Sequence, residues 1–260
     1  MKARKIASIA IAVVVLASVA SVIAYSDVWP PLYVVESESM EHSQNWTYGT
    51  INTGDIVFAK NIHNSTGDVV TYVQGRDSGY STYGEFGNVI LYHDPNGRII
   101  IHRAMFYLSW NGSTPIVAGD HGQSWIKITS NAVIIDNVGF THRNLIVYLN
   151  HFVGKDGYVT VGDYNLAHSP LYNSSQNAYS ASDQNVFGFN PVQPDKVVGT
   201  SYGQIPWVGL IKLNILRFSG SWTQYNEVPN NAYLYLGILI VIVIAASVFP
   251  YDRLFKKEKK

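Results

Sequence analysis

Two uncharged apolar runs, one near each end, constrain this chain more than any other feature. Residues 6–25 hold twenty residues without a charge and follow Lys2, Arg4 and Lys5. Residues 232–249 hold eighteen more and precede Arg253, Lys256, Lys257, Lys259 and Lys260. A helix crosses the hydrocarbon core with about 20 apolar residues, and inside lipid the backbone must satisfy its own hydrogen bonds. The sequence therefore predicts an N-terminal tail and transmembrane helix over 1–25, an exterior domain over 26–230, a C-terminal transmembrane helix over 231–251 and a basic tail over 252–260. The stretch "ASVAS" (17–21) has the small residues of a signal-cleavage region. The uncharged run nevertheless exceeds the roughly 7–15 residues of a cleaved signal's apolar core, so a retained anchor is expected.

A formal net charge of zero conceals a segregation. The two tails carry 8 of the 18 basic residues and only 2 of the 18 acidic ones, leaving the stretch between them at −6. Basic flanks remain on the cytoplasmic side. Both termini are thus expected inside, in a two-pass arrangement at the cell membrane, with residues 26–230 outside. An acidic exterior segment does not suit nucleic acid. Neither run contains an ionisable residue, which argues against a pore or a transporter. The chain has no cysteine, hence no disulfide framework and no thiolate metal site; no metal and no cofactor are expected. Sequons at Asn45, Asn64, Asn111 and Asn173 all fall in the exterior segment.

Within that segment, "GDIVFAK", "NVILYHD", "RIIIHRAMFYL", "NLIVYLN" and "DGYVTVGD" are short runs rich in Val, Ile, Tyr and Phe, punctuated by Gly, Asn, Asp and Pro. That pattern predicts strands and turns. No stretch of 26–230 sustains a helical period over three turns, so the expected fold class is mainly β, a single domain flanked by two membrane helices. Residues 171–190, rich in Tyr, Ser and Asn, read as a flexible insertion loop. Gly54-Asp55 and Gly67-Asp68 read as turns entering strands.

The stretch "ESESMEHS" (36–43) places Ser37, Ser39 and Met40 shortly after the first apolar run. A serine hydroxyl attacks a carbonyl only with a base to take its proton and donors to hold the oxyanion. His102, Asp163 and Asp183 are candidate partners downstream, and triads occur in several chain orders. Taken in order, Ser-x-Ser-Met at 37–40, Gly-Asp-Ile-Val at 54–57, Ile-Ile-His-Arg at 100–103 and "GYVTVGDYN" at 157–165 resemble the type I signal peptidases, in the archaeal and endoplasmic-reticulum branch that uses histidine as base. The segment "VVGTSYGQIPWVGLIKL" (197–213) is similar to that family's closing segment.

The resemblance implies a membrane-bound serine endopeptidase acting on the signal peptides of secretory precursors. The lipid bilayer and the protein translocation machinery are its implied partners. Ser39 matches the nucleophile and His102 the general base; the Ser39 N–H and the Ser37 hydroxyl match oxyanion donors, and Met40 is expected beside the substrate groove. Asp163 matches the first of two family aspartates. Ser169 stands where the second is expected, and Asp183 is the next candidate if residues before it are an insertion. Asp183 is favoured as the histidine's partner and Asp163 is the rival. His142 competes with His102 as base, while His121 and His168 read as solvated loop residues. Glu41 and Val161 replace a common proline and a common lysine. These departures support a competing reading: a membrane-anchored β binding module, or a non-catalytic accessory subunit of the cell envelope.

Overall fold

The computed structural model describes residues 2–63 and 66–249. The sequon residue Asn64 and the basic tail over 252–260 lie outside the described residues.

Helix α1 (Lys2–Ser26) contains the first apolar run, and Ser8–Ser26 is long and apolar enough to cross a membrane. From Ser8 to Tyr25 its side chains are almost all exposed, whereas Ser26 is buried where the helix meets the domain. The chain turns at Asp27, passes Pro30 and Pro31, and enters β1 (Leu32–Val34). Beyond β2 (Ile56–Lys60) a short helix α2 (Tyr72–Ser78) begins at a capping box, in which Thr71 and Gln74 satisfy each other's backbone N–H. A two-stranded ribbon, β3 (Ser81–Thr82) with β4 (Glu85–Phe86), follows. Then come β5 (Val89–His93), the long β6 (Ile99–Asn111) and β7 (Thr114–Val117).

A second group of strands comprises β8 (Ile126–Ile128), β9 (Ala132–Val138) and β10 (Arg143–Tyr148). Strand β11 (Gly157–Val161) leads into α3 (Asp163–His168). The hairpin β12 (Tyr172–Asn173) and β13 (Ala178–Tyr179) precedes α4 (Asp183–Phe187). Strand β14 (Val197–Ile205), α5 (Gly209–Phe218) and α6 (Ala232–Val248) complete the described chain.

The larger sheet has the order β1-β2-β14-β5-β6-β11, with β7 also on β6; the smaller has the order β12-β13-β10-β9-β8. All pairs are antiparallel except β10 with β13. The main core lies between the sheets, where Phe106 and Leu108 of β6 and Val159 of β11 meet Val133 and Ile135 of β9 and Leu145 of β10. A separate cluster around Val35, Met40, Ile51, Val57 and Leu91 supports the segment carrying Ser39.

Several sequence expectations need correction. The fold is mixed α/β with substantial sheet, not mainly β, because helices of five to seven residues are too short to show an apolar period in the sequence. Residues 171–190 are not a loose loop: Ala178, Ser182 and Asp183 are almost completely buried. Gly67-Asp68 lies in a 3-10 turn ahead of α2, not at a strand entrance. The second apolar run forms α6, whose 17 residues rise about 26 Å against a hydrocarbon core of about 30 Å, a mismatch that a bilayer accommodates by local thinning. Among the described residues, α1 alone meets the length needed to span.

Candidate active site

Ser39 sits between β1 and β2 on a segment pinned from three sides. The Glu41 N–H closes a turn onto the Glu38 carbonyl at 2.8 Å. The N–H of Tyr164, in α3, donates to the Ser39 carbonyl at 3.0 Å. Glu41, buried, accepts the Thr53 N–H at 2.8 Å. Burial raises the Glu41 carboxyl to about 7, with the Thr53 contacts opposing the shift. Met40 is 1% exposed and packs into the core beneath this segment, so it anchors the loop and does not line the cleft.

His102 is supplied by β6, opposite Ile90 of β5. Tyr92 of β5 and Thr160 of β11 project from the same face of the sheet, because a period of two carries Ile90 to Tyr92 and Ala104, opposite Thr160, to His102. Their side chains converge on one atom. Asp183 Oδ2 lies 2.7 Å from His102 Nδ1 and accepts the Tyr92 hydroxyl at 2.7 Å and the Thr160 hydroxyl at 2.6 Å. Burial, then the neighbouring Asp183 charge, pushes the Tyr92 hydroxyl well above the ordinary tyrosine range, so it remains a donor. Asp183 is the first residue of α4, which Ser182 caps through the Asn185 N–H and which Gln184 docks on β11 by accepting the Thr160 N–H. Asp183 Oδ1 has no hydrogen-bond partner.

With Nδ1–H given to Asp183, the His102 Nε2 is the ring's acceptor. It points toward Gly162. A Cβ built on Gly162 would lie 2.9 Å from His102 Nε2 and 2.5 Å from the Ser39 carbonyl oxygen. The base and the nucleophile-bearing residue therefore border one space no wider than a methyl group, and glycine keeps it open. The Ser37 hydroxyl donates to Ser39 Oγ at 3.4 Å, a long contact. Ser37, Ser39, His102 and Asp183 all line a cleft of about 750 Å³, walled by Val34, Ile101 and Phe187. A hollow of about 790 Å³ around Pro95, Gly154 and Pro191 contains neither Ser39 nor His102.

Asp163 does not reach His102. Arg103, the next residue on β6, points the opposite way and clamps it, Nε to Oδ1 at 2.8 Å and Nη2 to Oδ2 at 2.7 Å. The same guanidinium donates to the carbonyls of Thr82, Glu85, Phe86 and Gly87. Burial alone would raise the Asp163 carboxyl, but Arg103 and His42 more than offset it and hold it at about 2.

His42 is the residue that sequence reasoning missed. Its Nε2 lies 2.9 Å from Asp163 Oδ2 and its ring stacks on Phe140. The only signal available was a histidine three positions after Ser39. His142 is exposed at the turn between β9 and β10 and lies outside the cleft. His121 is exposed; His168 closes α3 and stacks on Tyr164 instead of occupying a loop. Asp55, buried at the mouth of β2, accepts from the Trp46 indole and from the Asn52 and Trp207 N–H groups, a structural hub. No three His, Asp or Glu side chains among the described residues are grouped to hold a metal ion.

Comparison with protein-family models, with curated proteins and with solved structures returned no match to this chain.

Proposed function

We propose that this chain is a membrane-bound serine endopeptidase that removes N-terminal signal peptides from secretory precursors. The observation that supports the reading is the Asp183–His102 hydrogen bond, with His102 Nε2 and the backbone carbonyl of Ser39 both bordering Gly162 and both residues lining one cleft. In this mechanism Ser39 Oγ attacks the scissile carbonyl while His102 Nε2 takes its proton. Asp183 holds the imidazole's tautomer and balances the charge it acquires. The Ser39 N–H and the Ser37 hydroxyl face the developing oxyanion. His102 then returns the proton to the leaving amine, and a water repeats the sequence to release the acyl group.

The membrane part of the proposal is a two-pass topology with both termini cytoplasmic, following the basic flanks of the two apolar runs. A substrate held in the bilayer by its own apolar helix then shares a plane with the enzyme, which raises their effective concentration. The test is cleavage of a precursor bearing an Ala-x-Ala site by the purified full chain in detergent. Cleavage that disappears in Ser39→Ala and in His102→Ala, with folding retained, supports the peptidase. A wild-type chain inert across substrates and pH overturns it in favour of a binding module.

A further inference from the structure

The outer face of α5 is apolar and bare. Ile211 is 49% exposed, Ile215 65% and Phe218 93%. Spacings of four and three put these residues on one stripe of the helix. The opposite stripe is buried: Leu210 and Leu213 pack with Trp222, Ala232 and Leu236. A helix with apolar residues on both faces has one face covered by protein and one awaiting cover.

What covers it follows from where α5 sits. Ala232 and Leu236 belong to the first turns of α6, the second apolar helix, whose side chains beyond Leu236 are nearly all exposed. Asn214 of α5 hydrogen-bonds to the Tyr233 hydroxyl at 3.2 Å. Helix α5 therefore lies beside the domain-proximal end of α6, at the level where a tyrosine belongs on a membrane interface. We infer that α5 docks on the bilayer, its Ile211–Ile215–Phe218 stripe sunk among headgroups and upper acyl chains in the manner of an interfacial helix. The occupant is lipid because α5 packs on the first turns of α6, and the exposed apolar side chains of α6, from Leu234 onward, begin beside it.

The docking has a consequence for the cleft. Lys212 of α5 lines the cleft and pairs with Glu36 at 3.5 Å. A helix fixed at the interface thus holds one wall of the opening at the membrane surface. The inference rests on α6 being embedded in lipid, as proposed above, and is independent of any peptidase activity.

The chain's lack of cysteine allows the test. Single variants Ile215→Cys, Phe218→Cys, Val241→Cys in α6 and Tyr48→Cys on an exposed loop are spin-labelled in the full chain, in phosphatidylcholine nanodiscs. Collisions with oxygen and with a water-soluble nickel chelate are then compared. Labels at 215 and 218 are expected to show an oxygen-to-nickel ratio several-fold above that at 48, with 241 higher still. Ratios at 215 and 218 equal to that at 48, with 241 in lipid, overturn the docking and leave the α6 span standing. A water-like label at 241 as well removes the span and the docking together.

Discussion

Two aspartates flank the middle of β6, and their surroundings could hardly differ more. Asp183 meets the hydroxyls of Tyr92 and Thr160 and the imidazole of His102, all on one oxygen. Asp163 meets a bidentate Arg103 with His42 beside it. Adjacent residues of a strand point to opposite faces, so His102 and Arg103 each choose a different carboxylate. The contrast teaches what each acid can do. In the proposed mechanism Asp183, held by hydroxyls, balances the charge of an imidazole that gains and loses a proton. Asp163 is already neutralised by a permanent cation, and its work is to brace α3, whose Tyr164 N–H holds the Ser39 carbonyl.

Exchanging each carboxylate for its amide breaks the comparison most sharply. Asp183→Asn should retain the fold and lose about 10⁴-fold in kcat, since the amide favours the wrong imidazole tautomer. Turnover of the precursor by the folded variant checks this, and an equal, fold-independent loss in Asp163→Asn would erase the distinction. On the other side, Arg103→Met leaves Asp163 buried with only His42 and should cost about 3–5 kcal/mol in denaturant unfolding. Arg103→Met combined with Asp163→Leu should recover much of that loss, because an apolar pair in place of a buried ion pair is often neutral. Between the two faces lies Gly162, and Gly162→Ala should cost about 1–3 kcal/mol through overpacking. Its added methyl enters the space shared by Ser39 and His102, so kcat should fall while KM holds.

The smallest effect is a difference in pH response. Asp163, at about 2 when folded against about 3.9 unfolded, contributes stability that is fully present above about pH 4 and lost as pH falls through its folded value. Glu41, raised to about 7 by burial, behaves in reverse. The folded chain keeps that proton longer than the unfolded one, so its contribution is fully present below about pH 4.3 and lost as pH rises through neutrality. Urea midpoints should decline between those limits in the wild type, and Glu41→Gln should flatten the decline. An unchanged slope would assign it to another group.

How much of this was legible beforehand differs by mechanism. The strands of the larger sheet were legible because β-branched and aromatic runs report burial locally, as "GYVTV" does for the fully buried β11. Ser39 and His102 were legible as motif residues and Asp183 only as the next acid beyond the motif, and the structure brings all three to one cleft. The short helices α3 and α4 were not, since one or two turns leave no period to read. Residues 171–190 misled because Tyr, Ser and Asn look solvated in sequence, yet Ser182 there caps α4 and Ala178 and Asp183 are buried. His42 was invisible for another reason: its partner lies far along the chain, and only the tertiary fold joins them. Met40 sits next to Ser39 in sequence, but the turn at Glu38–Glu41 sends its side chain downward into the core.

The chain order of the three residues has a bearing on biogenesis. Synthesis delivers the N-terminus first, so Ser39 and His102, the proposed nucleophile and base, exist long before α4 is made. Until α4 folds onto β11, the His102 ring lacks its hydrogen bond to Asp183. On the proposed mechanism, a chain built this way stays latent during its own insertion until α4 has been made and has folded.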